Sequence, residues 1–360
     1  MTFLIAAAGT GGHVFPGLSV GEALIDLDVP RADIMFVGGD RLEAQVYPRE
    51  GFDFLQVPLA GLERSLAPGN ARIPLVVIRA RSRIAGAIDA EGIRAVLAMG
   101  GYVTIPTALA ARKRRVPFFN AEQNAEAGLA NRLTARWARE TFVSFPDTGG
   151  LPDATWVGNP VRKAFWGFDR QSLRQPALER YRLDAETPVL GVFGGSLGAL
   201  SINEAVADML ESWSGPPVQV VHLTGESHHD VFAHRSPVSG VTWRRVAFEE
   251  RMELFYAACD VVIARAGGSV AELTATATPS ILVPGQFGSG GHQAGNARFL
   301  ETSGAAVIVE QDVLETGLGP TVVALIEDTG RRRAMARAAG DISKPDAART
   351  IARTMMDAAE

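Results

Sequence analysis

The chain is short of cysteine, of long apolar runs and of basic charge, and each shortage removes a class of protein. A single cysteine, Cys259, among 360 residues excludes intramolecular disulfides and a cysteine-built zinc cluster, and it suits a reducing compartment. No apolar stretch reaches the ~20 residues that cross a bilayer as a helix. The opening Met1-Thr2-Phe3-Leu4-Ile5-Ala6-Ala7-Ala8 has no basic segment and runs into a glycine turn. It reads as a buried strand and not as a signal peptide. A formal net charge of −5 speaks against broad nucleic-acid binding. The expectation is a soluble or peripheral protein.

What is present is ordinary globular composition, 47% apolar and 21% charged, on a chain too long for one typical domain and comfortable for two. Short apolar runs alternate with helix-length segments, which implies parallel sheets covered on both faces. Strands are expected at Phe3–Ala8, Ile34–Val37, Phe54–Val57, Ala95–Met99, Phe118–Asn120 and Thr141–Phe145. In the second half they are expected at Val189–Phe193, Val218–Leu223, Val241–Arg245, Val261–Ala264, Ser280–Val283 and Ala306–Val309. Helices are expected over Val14–Leu27, Ile73–Ala90, Ile105–Arg114, Ser201–Glu211 and His292–Glu301. The alternation breaks once, in a polar stretch between Gly158-Asn159-Pro160 and Thr187-Pro188 that carries Gln171, Arg174, Gln175 and Pro176. This places a junction near 160–165, with an N-terminal domain over 1–162 and a C-terminal domain over 163–345. A last helix over 346–360 is expected to pack back onto the first domain. Each half opens with strand, glycine turn and helix, so the simplest α/β architecture is two Rossmann-like domains facing across a cleft.

Glycines after a strand let the backbone turn tightly and bring N–H groups to a ligand, and the following helix start favours an anion, usually phosphate. Such turns occur at Ala8-Gly9-Thr10-Gly11-Gly12-His13 and at Phe193-Gly194-Gly195-Ser196-Leu197-Gly198-Ala199. A dinucleotide fingerprint fits second-best. Gly9 and Gly11 supply its first glycines and Asp40 ends the second strand, but Val14 stands at the third glycine position. His13, at the mouth of the first turn, is placed for proton transfer, where the plainer reading is a cap. Gly100-Gly101-Tyr102 and Glu122-Gln123-Asn124 follow strand ends, where open sheets place ligands, although a turn or a cap would explain either alone. Arg265-Ala266-Gly267-Gly268-Ser269 leads into a helix with Glu272 about one turn in. A carboxylate there can accept from both ribose hydroxyls of a nucleotide, or simply favour a helix start. His292 and Asn296 share a helical face beside Gln293. Two metal-like patterns are set aside. Asp26-Leu27-Asp28 reads as a solvated helix end, and His228-His229 has no second ligand cluster within reach, so no metal is expected.

These motifs resemble the MurG family, the UDP-N-acetylglucosamine transferases that convert lipid I to lipid II in peptidoglycan synthesis. The resemblance spans nearly the whole chain. It rests on Gly9-Thr10-Gly11-Gly12-His13-Val14-Phe15-Pro16, Met99-Gly100-Gly101-Tyr102, Glu122-Gln123-Asn124 and Gly158-Asn159-Pro160-Val161-Arg162. Gly194-Gly195-Ser196, Arg265 with Gly267, Glu272, and His292-Gln293 with Asn296-Ala297 complete it. The chain departs from the family pattern at Ala121, where histidine is usual, at Leu197 in place of glutamine, and at Thr104-Ile105-Pro106 in place of Ser-Gly-Pro. The segment Gly268-Ser269-Val270 is also one residue short.

The resemblance implies a GT-B fold, with the sugar donor held mainly by the second domain and the lipid acceptor by the first. Carried over by position, Ser196 would hold donor phosphate, Glu272 the ribose, Gln293 and Asn124 the sugar, and the backbone at Phe248 the uracil. Arg265, Gly268, Ser269 and Asn296 would belong to the same donor site, closed from the first domain by Arg162 and by Thr10, Gly11 and Gly12. Gly100, Gly101 and Tyr102 would face the acceptor. It also implies a peripheral seat on the anionic inner leaflet, at the cytoplasmic face of the cell membrane. Ile73, Val76 and Val77, interleaved with Arg72, Arg79, Arg81 and Arg83 alongside Leu75 and Ile78, fit that role, or form one helix's core face. The implied reaction is an inverting, metal-independent transfer with no cofactor. His13 is the candidate general base and Glu122 the reserve. UDP-GlcNAc, lipid I and other cell-wall synthesis proteins are the implied partners, and nucleic acid is not among them. The competing readings are an NDP-sugar epimerase, a transferase with another lipid acceptor, and a catalytically silent sugar-nucleotide binder.

Overall fold

Continuous apolar runs become strands buried on both faces, as parallel sheets require. Phe3, Leu4, Ile5 and Ala6 in one half, and Val261, Val262, Ile263 and Ala264 in the other, are all fully buried. The computed structural model describes residues 1–59, 73–151, 153–195, 198–285 and 291–360. Every expected strand forms within two residues of its expected ends. The chain folds as two units, Met1–Lys163 with Pro345–Glu360, and Ala164–Lys344.

Unit 1 runs β1 (Thr2–Ala6), α1 (Gly11–Asp26), β2 (Ile34–Gly38), α2 (Glu43–Arg49), β3 (Asp53–Gln56), α3 (Ile73–Ala90) and β4 (Ile93–Ala98). It continues through α4 (Thr104–Arg114), β5 (Phe118–Glu122), α5 (Leu129–Thr134), β6 (Glu140–Val143) and β7 (Thr155–Trp156). Its strands among the described residues are parallel, in the order β3-β2-β1-β4-β5-β6-β7. Unit 2 runs α6 (Arg170–Tyr181), β8 (Val189–Phe193), α7 (Leu200–Glu211), β9 (Val218–Leu223), β10 (Val241–Val246), α8 (Met252–Ala258) and β11 (Val261–Ala264). After these come α9 (Ser269–Ala275), β12 (Ser280–Leu282), α10 (His292–Thr302), β13 (Ala306–Ile308), α11 (Leu314–Glu327) and α12 (Thr329–Asp341). Its described strands are also parallel, ordered β10-β9-β8-β11-β12-β13. The order reverses between β1 and β4 in unit 1 and between β8 and β11 in unit 2. Loops leaving two such strands diverge, and ligands of open sheets bind at their carboxyl ends.

The structure corrects the sequence reading in two places. The polar break after Pro160 contains α6, begun by Asp169, whose side chain caps the amide of Gln171. Its inward face pairs Ala177, Leu178 and Tyr181 with two arginines. Arg170 donates to the carbonyls of Cys259 (2.8 Å) and Thr276 (2.9 Å), and Arg174 to that of Ala257 (3.1 Å) and to Asp260 (3.1 Å). The first helix begins at Gly11 and not at Val14, so Gly11, Gly12 and His13 form its opening turn. Asp26 is the exposed last residue of that helix, as expected, and it also accepts from Lys163 Nζ (3.1 Å) and from Arg349 Nη2 (2.6 Å). The Arg349 hydrogen bond, followed by that of Lys163, holds its carboxyl below the usual range. Arg349 lies on α13 (Ala347–Ala359), which buries Ala348, Ile351, Ala352 and Met355 at helical spacing and packs on α1 and β4.

Candidate functional site

In unit 1 the site gathers the loops leaving β1, β4 and β5. Thr10 is the extended N-cap of α1, and its carbonyl accepts the amides of His13 (3.0 Å) and Val14 (3.1 Å). Gly11 and Gly12 therefore lie in a first turn whose leading amides have no partner within the helix, which suits an anion. Gly100 and Gly101 have φ of +106° and +79°. A Cβ on Gly100 would fall 2.9 Å from His13 Nε2, and one on Gly101 2.7 Å from Ala8 O. Only glycine lets the β4 loop lie this close to the imidazole and to the β1 turn. His13 is half-buried, and Tyr102, next in the loop, is exposed.

Glu122 ends β5 and is buried. Its Oε1 accepts the amides of Gln123 (3.0 Å) and Asn124 (3.0 Å) and Asn124 Nδ2 (3.1 Å). Its Oε2 accepts the amide of Gly128 (3.0 Å) and Asn131 Nδ2 (2.7 Å). An ionised carboxylate offers about four lone-pair sites, so these donors fill it. Glu122 organises the turn from β5 to α5 and orients the half-buried Asn124. Asn131 was missed by sequence reading. It also donates to Ala121 O (3.0 Å), and its Nδ2 would lie 3.4 Å from a Cβ on Gly100, so it ties the Glu122 turn to the His13 loop.

In unit 2 the corresponding loops leave β8 and β11. The turn after β8 reaches α7 through Gly194, Gly195, Gly198 and the N-cap Ala199, and Ser196 lies outside the described residues. Arg265, just past β11, spans three partners: Val283 O (3.1 Å), Gln311 Oε1 (2.9 Å) and Ser201 Oγ (2.9 Å) in the first turn of α7. Burial pulls its pKa down from the ordinary arginine value. The guanidinium is thus held beside the start of α7. Gly268 is the N-cap of α9, and Ser269 Oγ donates to Arg265 O (3.0 Å). Glu272, half-buried on α9, accepts from the hydroxyl of fully buried Tyr256 (3.0 Å). Tyr256 on α8 is a second residue that sequence reading missed, because its spacing from Glu272 acquires meaning only once β11 folds between them. Gln293 Oε1 accepts the amide of Gly285 (2.7 Å). Asn296, expected at the donor, is fully buried and donates to Ala266 O (3.0 Å), so it braces the β11 loop. Phe248 follows β10 with an exposed ring, and the next residue, Glu249, is buried under Arg180 (2.8 Å) and Tyr181 (2.7 Å). Arg162 is half-buried near the end of the first segment of unit 1.

The residues of the expected membrane patch differ in exposure. Arg72 lies outside the described residues. On α3, Ile73, Val76 and Val77 are half-buried, whereas Leu75 is 58% and Ile78 49% exposed. Arg79 and Arg83 are exposed and Arg81 half-buried, while Ala80, Ile84, Ala85 and Ile88 face the core.

Two family models match the chain: the glycosyltransferase family 28 N-terminal domain over residues 3–143 and the C-terminal domain over residues 189–351. The chain is 36% identical to the UDP-N-acetylglucosamine--N-acetylmuramyl-(pentapeptide) pyrophosphoryl-undecaprenol N-acetylglucosamine transferase of Mycobacterium sp. (strain JLS). That similarity covers 100% of this chain and 96% of the relative. The transferase of the same name from Nocardia farcinica (strain IFM 10152) is also 36% identical, over 98% of this chain and 94% of its own. The crystal structure of Acinetobacter baumannii MurG superposes with a TM-score of 0.80 at 25% identity, covering 99% and 100% of the two chains. A UDP-GlcNAc 2-epimerase from Neisseria meningitidis, at TM-score 0.68 and 13% identity over 99% of this chain and 100% of its own, shares the fold alone. With both family 28 domains in order and full-length similarity at this identity, the chain belongs to the MurG family of glycosyltransferases.

Proposed function

We propose that the chain transfers N-acetylglucosamine from UDP-GlcNAc to the C4 hydroxyl of the N-acetylmuramyl unit of lipid I, giving lipid II. The observation that carries this reading is a ligand loop at each sheet's switch point, with His13 on Gly100 in unit 1 and Glu272 under Tyr256 in unit 2. The acceptor oxygen attacks the anomeric carbon and the bond from that carbon to the diphosphate oxygen breaks with inversion. The hydroxyl proton passes to His13, and the bonding pair leaves on UDP. Glu122 takes no proton, because its oxygens are already occupied. Charge growing on the diphosphate meets the start of α7 and the neighbouring Arg265 guanidinium, which stabilise it without a metal ion. Glu272 takes the ribose, the backbone at Phe248 the uracil, and Gln293 with Asn124 the sugar. The turns at Gly11-Gly12 and Gly100-Gly101 take the acceptor diphosphate.

Among the described residues no helix is long and apolar enough to cross a membrane. The exposed Leu75 and Ile78 with Arg79 and Arg83 support a peripheral seat on the anionic inner leaflet, where the lipid acceptor resides. Incubation with UDP-GlcNAc and lipid I, followed by product analysis, tests the reading. A disaccharide lipid and UDP are expected in equal amounts. Epimerised sugar nucleotide, or transfer to a different lipid with lipid I untouched, overturns it.

A further inference from the structure

Glu43 and Tyr47 belong to none of the motifs above, yet they are 1% and 0% exposed. They stand four residues apart on α2, one above the other on a single face. Glu43 Oε2 accepts the amide of Gly9 (3.1 Å) and Oε1 the amide of Gly39 (2.9 Å). One carboxylate therefore ties the turn after β1 to the turn after β2. The Tyr47 hydroxyl donates to Val14 O (3.1 Å), and its ring stacks on Phe36 with centroids 3.9 Å apart. Gly9 and Val14 are the two ends of the segment that carries Thr10, Gly11, Gly12 and His13.

The surroundings are built to admit these side chains. A Cβ on Gly38 would lie 2.6 Å from Glu43 Cγ, and one on Gly17 3.2 Å from the Tyr47 hydroxyl oxygen. Burial first, and then the Glu43 charge, push the Tyr47 phenol well above its ordinary pKa, so it remains a donor. Backbone amides bound to an ionised acceptor form short, strong hydrogen bonds. A buried carboxylate that loses such partners is costly, so the turn at Gly9 has little freedom to drift.

We infer that Glu43 and Tyr47 are positioning residues for His13, holding both ends of its loop from α2 so that the imidazole meets the acceptor hydroxyl in reacting geometry. The inference rests on the reading of His13 as general base. A strut that only joins the two turns would lower stability when cut and leave turnover per folded molecule unchanged.

The test uses the full chain with Glu43→Gln, which puts an amide donor where one backbone N–H now binds, and Tyr47→Phe, which removes one oxygen. Thermal midpoint, UDP-GlcNAc affinity, kcat and KM for the lipid acceptor, and amide exchange over residues 9–14 are measured for each. Misplacing a reacting group by about 1 Å costs on the order of a hundredfold in rate, so kcat is expected to fall between about tenfold and a hundredfold. UDP-GlcNAc affinity should stay within about twofold, since most of the contacts proposed for it lie in unit 2. Exchange at the loop amides should rise. Folded Glu43→Gln and Tyr47→Phe proteins with wild-type kcat and wild-type exchange at those amides, differing only in thermal midpoint, overturn the inference. If Glu43→Gln does not fold, Tyr47→Phe decides alone. His13→Ala separates the two layers. Full activity in that variant removes the general-base reading, whereas lost activity there with intact Glu43→Gln removes only the positioning role.

Discussion

Glu272→Ala should cost the donor site a charge-assisted contact with the ribose, and Tyr256 makes the size of that cost testable. The carboxylate is half-buried on α9, with one oxygen held by the Tyr256 hydroxyl at 3.0 Å. Hydrogen bonds to a charged group contribute about 1.5–3 kcal/mol, so Glu272→Ala should weaken UDP affinity by roughly ten- to 150-fold. Tyr256→Phe leaves the carboxylate in place and removes only what orients it, which should cost about 0.5–1.5 kcal/mol, or roughly two- to twelvefold. The phenyl ring keeps the packing of Tyr256 against Phe165, Phe193 and Phe255, so the fold should survive. In the Glu272→Ala background the hydroxyl has nothing to orient, and the second substitution should then cost almost nothing. A double-mutant cycle by calorimetry with UDP reads this coupling directly. Unchanged UDP affinity in folded Glu272→Ala would remove this carboxylate from the site. Strict additivity of the two substitutions would show that Tyr256 acts on the donor by another route.

Three further outcomes are expected. The proposed mechanism assigns the positive potential at the donor phosphates to the start of α7 and to Arg265, which bonds Ser201 there; turnover should then survive EDTA, and a complete, magnesium-reversible loss would contradict that account. Replacing Arg79, Arg81 and Arg83 with Ser should weaken flotation with anionic vesicles in a salt-sensitive way, by on the order of 1 kcal/mol per arginine near the surface, and should spare UDP binding. Wild-type flotation would make these arginines a solvated face. Buried His222 has its pKa pulled down to about 3 by burial first, then by Arg245 and His229, whereas an unfolded imidazole titrates near 6.5. Its stabilising contribution is therefore complete above about pH 6.5 and is lost by up to ~1.4 kcal/mol per pH unit as pH falls toward the folded value. Urea midpoints of wild type and His222→Gln between about pH 7 and 4 measure this, and parallel slopes refute it.

Sequence pattern carried the sheets because a strand buried on both faces has to be a continuous apolar run, as at Val189–Phe193. The glycine turns were legible for a related reason: conformations such as those of Gly100 and Gly101 admit few other residues. The helix α6 was not legible, because much of what it buries is arginine guanidinium bonded to carbonyls of unit 2. Hydropathy scores such a residue as exposed. The short α2 hides for the same reason, with Glu43 inward and Pro48 within it. On α3 the unbroken run of aliphatics from Leu75 to Ile78 left the phase of the helix undetermined, and only the structure shows that Leu75 and Ile78 are the exposed ones. The ion pairs of exposed Asp26 were not legible, because its partners, Lys163 and Arg349, are far away in sequence.

Glutamates 43, 122 and 249 are the buried carboxylates among the described residues: Glu122 ends β5, and Glu43 and Glu249 follow within a few residues of the carboxyl ends of β2 and β10. Each accepts backbone amides from a loop assigned to substrate: Gly9 and Gly39 on Glu43, Gln123, Asn124 and Gly128 on Glu122, and Arg251 on Glu249. A loop that presents its outer amides to a diphosphate must fix its remaining amides on the protein side, and a charged acceptor does so more strongly than a neutral one. The charge also repels the ligand it helps to receive, so it belongs behind the loop and out of solvent, where these glutamates lie. That division accounts for a glutamate such as Glu122 standing inside a recognisable motif with its oxygens turned to backbone amides. On the proposed mechanism the same residue type holds loops still and leaves the proton to His13.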